Sequence, residues 1–205
     1  RSPSRGLGDV YKRQDKIIMK KMNPEWTMQI EKENEFQSNQ VVKVHTKIRL
    51  ETNIRAMPQP RQNYKSRFTD PKAKRYNEWR KVIRDTLRVA WHGRTTGMIV
   101  THIKVSFEFG AVPAAPPNAK RTKSGEIDGR TIKSVMDYDL NNLIKSTEDI
   151  MNGIVYKDDR IIREYGPCKA IDTTEDYIRI LIEDSDGSNI FVPKPNQVKP
   201  TNLSI

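Results

Sequence analysis

The stretch "DLNNLIKSTEDIMNGIVYKDD", residues Asp139 to Asp159, fixes one element of the fold and frames its chemistry. Leu143, Thr147, Ile150 and Met151 recur at three- and four-residue steps, which gives a helix one inward face. Asn152–Gly153 then stops that helix, because glycine accepts the left-handed turn that other residues resist. Acids stand at both ends: Asp139 opens the stretch, and Asp158 and Asp159 lie just past a helix of about three turns. An antiparallel return of the chain would bring the two acidic ends together. Lys145 lies one turn beyond Asn142, on a face that can look back toward the acids.

Such a grouping suits phosphodiester cleavage. Mg²⁺ takes carboxylates and waters as ligands, and a nearby lysine stabilises charge that develops on phosphate. Asp137, Asp139 and Asn141 are spaced at two, so an extended segment would point all three to one side. Asn141 puts a neutral amide where a third carboxylate would complete the set. A plainer reading fits the same residues: Asp139 as a helix N-terminal acid, Asn141 or Asn142 as a cap, and "KDD" as a turn. Spacing alone leaves both open.

Upstream, "VVKVHTKIRL" (41–50) alternates, with Val42, Val44, Ile48 and Leu50 on one strand face. The basic "MPQPRQNYKSRF" follows, where prolines stop regular structure. Pro71 opens a helix with Tyr76, Trp79, Val82, Ile83, Leu87 and Ala90 as its apolar stripe, ended by "GRTTG". "MIVTHIKVSFEF" (98–109) reads as a second strand, with Ile99, Ile103, Val105, Phe107 and Phe109 on one side. A long basic loop is expected from Gly110 to Val135. After the acidic helix, "RIIREY" and "DYIRILIE" read as two more strands, joined through "GPCKAIDTTE". The expected class is α+β: one domain, a mixed sheet of about four strands and two main helices.

The flanks look different. "DVYKRQ" (9–14) reads as a translated sequencing adapter, so residues 1–14 are expected to be artefactual, with a natural start at Met19 or Met22. Residues 15–40 read as a polar extension with at most a short helix, 41–184 as the domain, and 185–205 as a disordered tail. The 205 residues carry a net charge of +11, and +8 without the first 14, which points to a polyanionic partner. No apolar run has the length of a membrane span, so no membrane partner is expected. The single Cys168 fits a reducing cytoplasm and reads as a small packed residue. His45, His92 and His102 make no metal-binding spacing, and "DSDGSN" is an incomplete calcium loop.

The pattern acid-x-acid-Asn-Leu-x-Lys, then Asp-x-(Leu/Met)-Asn-Gly, then Asp-Asp with a later lysine, resembles the RusA family of Holliday-junction resolvases. It is met here by "DLNNLIKSTEDIMNGIVYKDDRIIREYGPCK", Asp139 to Lys169. "PQPRQNYKSRFTDPKAKRYNEWRKVI" resembles that family's Pro-Arg-rich segment and the helix after it, and the order of elements agrees from about Val41 to Glu183. The resemblance implies a Mg²⁺-dependent endodeoxyribonuclease, with Mn²⁺ able to substitute, that cuts four-way junctions as a homodimer. It makes Asp139, Lys145 and Asp159 the catalytic residues, with Asp139, Asn141, Asp158 and Asp159 as the metal ligands. The second family aspartate falls on Asn141, where this chain departs from the pattern. The basic residues Arg61, Lys65, Arg67, Lys120, Arg121 and Lys123 are expected to grip DNA phosphates. A phage-derived protein in the cytoplasm of a bacterial host fits this picture.

Overall fold

The computed structural model describes residues 24–37, 40–60, 70–114 and 132–185. Both the adapter-like segment and nearly all of the expected tail therefore lie outside the described residues. Five strands make one mixed sheet: β1 (Trp26–Gln37), β2 (Gln40–Thr52), β3 (Ile103–Ala111), β4 (Ile162–Asp172) and β5 (Tyr177–Asp184). Their spatial order is β1-β2-β5-β3-β4. All neighbours are antiparallel except β3 and β4, which run parallel. A parallel pair needs a crossover, and this one carries the acidic helix, α2 (Leu140–Met151). The other long helix, α1 (Pro71–Arg94), precedes β3. The α+β class with a mixed sheet and two main helices is as the sequence predicts.

The fifth strand is β1, where the sequence suggests a polar extension with at most a short helix. Its first residues alternate: Trp26 and Met28 are buried while Thr27 and Gln29 are exposed. They pair with Thr52 and Leu50 of β2, and the Trp26 indole donates to the Ile83 carbonyl of α1. β3 begins at Ile103 rather than Met98; Ile99 instead makes a lone parallel bridge to Tyr156, its N–H donating to the Val155 carbonyl at 2.8 Å. Gly110 and Ala111, expected as loop, complete β3. The segment "GPCKA", expected as a connection, continues β4. Pro167 is tolerated there because β4 is an edge strand, whose outer N–H groups have no ladder to join.

α1 starts where proline predicts: Asp70 caps it, accepting from the Lys72 N–H at 2.8 Å, with Pro71 in the first turn. Its buried stripe is Ala73, Tyr76, Trp79, Ile83, Leu87 and Trp91. Val82 and Ala90 flank that stripe half-buried, and Trp91 takes the place expected of Ala90. Tyr76, Trp79, Ile83, Leu87 and Trp91 join Leu143, Ile150 and Met151 of α2 and the inward side chains Ile48, Leu50, Phe107, Phe109, Ile180 and Ile182 in one core. The two helices are locked together at the end of α2, where Arg84 Nη1 donates to the Asp149 and Ile150 carbonyls at 2.6 and 3.2 Å. Those carbonyls lie in the last turn, where no intrahelical N–H reaches them, and Arg80 Nη2 adds a second bond to the Asp149 carbonyl at 3.4 Å.

The opposite sheet face carries a lattice of ion pairs. Arg179 meets Glu51 at 3.0 Å, and Lys169 meets Glu108 at 3.0 Å. The Tyr177 hydroxyl donates to Glu108 at 2.6 Å, and the Arg179 guanidinium lies 4.1 Å over the Tyr177 ring. Gly110 makes room for that ring: a Cβ there would stand 2.2 Å from Tyr177 Cε1. Gly110→Ala is therefore expected to displace Tyr177 from both partners and to destabilise the fold by about 1–3 kcal/mol. Urea unfolding measures this, and a midpoint equal to that of the unsubstituted protein would mean the ring is not held.

Candidate active site on the acidic helix

Local capping decides where most of the acids go. Residues Val135–Asp137 form a turn of 3₁₀-helix, not an extended segment, so Asp137, Asp139 and Asn141 do not line one strand face. The reason is a reciprocal cap: the Asp137 carboxylate accepts from the Ser134 N–H at 2.9 Å, and the Ser134 hydroxyl accepts from the Met136 N–H at 2.9 Å. Asp139 is the N-cap of α2, its Oδ1 accepting from the Asn141 N–H at 2.9 Å. Asn141 lies exposed in the first turn and is not the cap. Asp158 caps a second 3₁₀ turn, Asp159–Ile161, and accepts from the Arg160 N–H at 3.0 Å. That bond, aided by a side-chain hydrogen bond with Asp159 and by the charges of Arg160 and Lys157, holds the Asp158 carboxyl below its usual range. The plain reading of Asp139 as a helix-capping acid is thus correct for its local geometry. It leaves the second carboxylate oxygen free of hydrogen bonds among the described residues.

The return after α2 is tight. Gly153 takes the left-handed conformation, φ 74°, and its N–H donates to the Tyr156 carbonyl at 2.7 Å. The chain then brings Asp159 into electrostatic range of Glu148 in the second half of α2. Asp139, Asp158 and Asp159 do not converge among the described residues, so the expected meeting of the two acidic ends is not seen. Asn141, Lys145, Glu148 and Asn152 follow one another along α2 at steps of four, three and four, a single helical stripe. Glu148 is the residue that sequence reasoning passes over. It is only 7% exposed, and its Oε1 accepts from the Tyr165 hydroxyl of β4 at 2.5 Å. Burial raises its pKa, and the charges of Asp159 and Asp149 add to that rise; the Tyr165 bond and Lys145 oppose it. Tyr156 is fully buried, and its hydroxyl has no hydrogen-bond partner among the described residues. Burial pushes that hydroxyl's pKa far up, with Glu148 and Asp159 as the next causes.

Two further contacts place the basic segments. The Gln59 N–H donates to the Asn142 carbonyl at 3.3 Å, and its side-chain amide donates to Asp149 at 3.2 Å. Arg55 donates to the carbonyls of Val112 and Lys133, at 2.9 and 3.4 Å. The first basic segment therefore leaves the described fold near the start of α2, and the two ends of the second are held by Arg55. Arg61, Lys65, Arg67, Lys120, Arg121 and Lys123 themselves lie outside the described residues.

The donors near α2 are all oxygens, which suits a hard cation such as Mg²⁺. Among the described residues, no three His, Cys, Asp or Glu side chains converge as a ready metal cage. Mg²⁺ is often held by one or two carboxylates with waters and substrate phosphates, so two carboxylates meet that requirement. A groove of about 580 Å³ exists elsewhere, on the ion-paired sheet face, lined by Arg49, Lys104, Glu108, Lys169, Arg179 and Leu181. Its acids and bases neutralise one another, and it lies across the sheet from α2. Lys169, the later lysine of the sequence pattern, belongs to that face.

No helix among the described residues is long and apolar enough to cross a membrane. A search of curated proteins returned no match. The family model for endodeoxyribonuclease RusA matches residues 51–183, from the end of β2 through both helices and the acidic turn to the end of β5. By that match, which takes in well over half of the chain, the protein belongs to the RusA endodeoxyribonuclease family.

Proposed function

We propose that this protein is a Mg²⁺-dependent, structure-selective endodeoxyribonuclease that resolves four-way DNA junctions in recombination and repair. The observation that carries this reading is the turn at Gly153, which returns Asp159 to the α2 stripe bearing Lys145. Asp139 and Asp159 would hold the metal, with Asn141 and Asp158 as weaker oxygen donors beside them. Bound Mg²⁺ supplies charge neutralisation at the scissile phosphate and a more acidic water. Lys145, exposed on the same helix, orients the phosphate and stabilises the charge that builds on its oxygens. Mn²⁺ substitutes, because it accepts the same ligands. A symmetric homodimer matches a two-fold junction, and a prophage gene expressed in a bacterial cytoplasm supplies the setting.

A second reading, a catalytically weakened or silent protein that still binds branched DNA, is favoured by one observation: the neutral Asn141, with no three acids converging among the described residues. Both readings share the DNA contact. Charge reversal of any two of Arg61, Lys65, Arg67, Lys120, Arg121 and Lys123 is expected to weaken junction binding. Each lost contact flattens its salt dependence by about one unit of log–log slope. Gel shifts in Ca²⁺ across a salt series measure this, and unchanged slopes for every pair would place the DNA surface elsewhere. Sedimentation at micromolar concentration is expected to give a dimer mass.

A further inference from the structure

We propose that Glu148 is a metal ligand in this chain, paired with Asp159, and that it supplies the negative charge missing at Asn141. The inference rests on the metal-dependent reading above and names a residue that the family pattern does not mark.

Three observations converge on it. Glu148 sits on the α2 stripe that begins at Asn141 and passes through Lys145. A helix rises about 1.5 Å per residue, so Glu148 lies about 10 Å further along the axis than Asn141. It does not take the place of Asn141; it moves the carboxylate charge toward the 3₁₀ turn that carries Asp159. The second observation is burial without an ion pair. A carboxylate 7% exposed is costly unless it is paired, yet its one hydrogen bond comes from a neutral tyrosine, Lys145 acts on it without forming an ion pair among the described residues, and two further acids stand in range. The Tyr165 bond holds Oε1 and so fixes the direction of the carboxylate, as an outer partner does for a metal ligand.

The third observation is independent of the acids. The Tyr156 hydroxyl is fully buried, has no partner among the described residues, and feels Glu148 and Asp159 more strongly than any other charge. An orphaned hydroxyl of this kind is costly unless something fills the space beside it. A water on a cation held by Glu148 and Asp159 would satisfy it. The alternative is a protonated Glu148 serving only as a buried hydrogen-bond partner of Tyr165.

Mn²⁺ binding to the full chain separates these, read by electron paramagnetic resonance of free Mn²⁺ so that cleavage is not the readout. Glu148→Gln keeps shape and the Tyr165 bond, and it is expected to weaken Mn²⁺ binding roughly tenfold or more. Tyr156→Phe is expected to weaken it by a smaller factor, and Asn141→Asp to strengthen it. Should Glu148→Gln fail to fold, Glu148→Asp keeps the charge but shortens its reach, and the same loss is expected. Unchanged Mn²⁺ affinity in the folded Glu148 variant, together with loss in Asp159→Asn, would overturn the role of Glu148 and leave the metal reading standing. No Mn²⁺ binding to either the unsubstituted protein or Asn141→Asp would remove both.

Discussion

Asn141→Asp is expected to raise junction cleavage, and Asp159→Asn, alone or in that background, to abolish it. The first change restores a full charge in the first turn of α2, directly beside the capping Asp139. Hard cations prefer carboxylate to amide oxygen, so the metal is held more tightly at a given concentration. A gain of about tenfold or more at limiting Mg²⁺ follows from one recovered ligand. Asp159 stands at the other side of the site and is not committed to capping a turn, as Asp158 is. Its loss leaves no carboxylate on the returning segment in range of Glu148. Asp139→Asn is expected to remove cleavage as well, with a further, small loss of helix stability, since asparagine still caps. Lys145→Ala is expected to slow cleavage by about 10²–10³-fold while bound metal is retained. All four variants are expected to bind a junction in Ca²⁺ as the parent does. Nicking of a labelled four-way junction gives the rates. An inactive Asn141→Asp together with an active Asp139→Asn would place the chemistry away from α2.

Trp91→Ala is expected to cost about 3–5 kcal/mol of stability. The indole is fully buried, and its N–H donates to the Gly97 carbonyl at 2.9 Å. The Trp91 carbonyl in turn accepts from the Thr95 N–H, so one residue fills the core and closes the end of α1. Alanine leaves a cavity, and the Gly97 carbonyl keeps only the longer bond from the Thr95 hydroxyl, at 3.3 Å. For a domain of this size that corresponds to a melting point roughly 6–20 °C lower. Calorimetry would show it, and a drop of only a degree or two would mean that α1 is not anchored at this end. Because Arg84 ties α1 to the last turn of α2, this variant is also expected to loosen the active-site helix.

How much of this was legible in the sequence varies by element, for physical reasons. α1 announced itself through a proline in its first turn and apolar residues at helical steps. α2 did so through its inward face and the Asn152–Gly153 stop. β1 was hidden because only Trp26, Met28 and Ile30 alternate before a run of charged residues, too short a signal beside so polar a surface. β4 was half-read: as an edge strand it buries little on either face, and Pro167 looks like a break when only its unpaired side is affected. The parallel pairing of β3 with β4 is set by the crossover through α2, a long-range fact that no local pattern encodes. In the site, the helix length and the glycine point Asp159 at Asp139, whereas it comes into range of Glu148 instead; only the return of the chain toward α2 followed from them. The role of Ser134 in drawing Asp137 into a turn did not, since an acid at that spacing reads equally well as a ligand. Glu148 escaped notice because a glutamate in a polar helix looks like surface. Only the packing of β4, which lays Tyr165 against it, shows that it is inside.

The central claim is metal-dependent cutting of branched DNA, and the most direct measurement uses the unsubstituted protein. It is incubated with a synthetic four-way junction and with linear duplex of the same sequence, in Mg²⁺ and in EDTA. The expected result is paired, symmetric nicks in the junction alone, present in Mg²⁺, faster in Mn²⁺ and absent in EDTA. Equal cutting of the linear duplex, or junction cutting that survives EDTA, would contradict the account. Tight junction binding with no nick at any Mg²⁺ or Mn²⁺ concentration would also contradict it, and would leave the protein a binder of branched DNA.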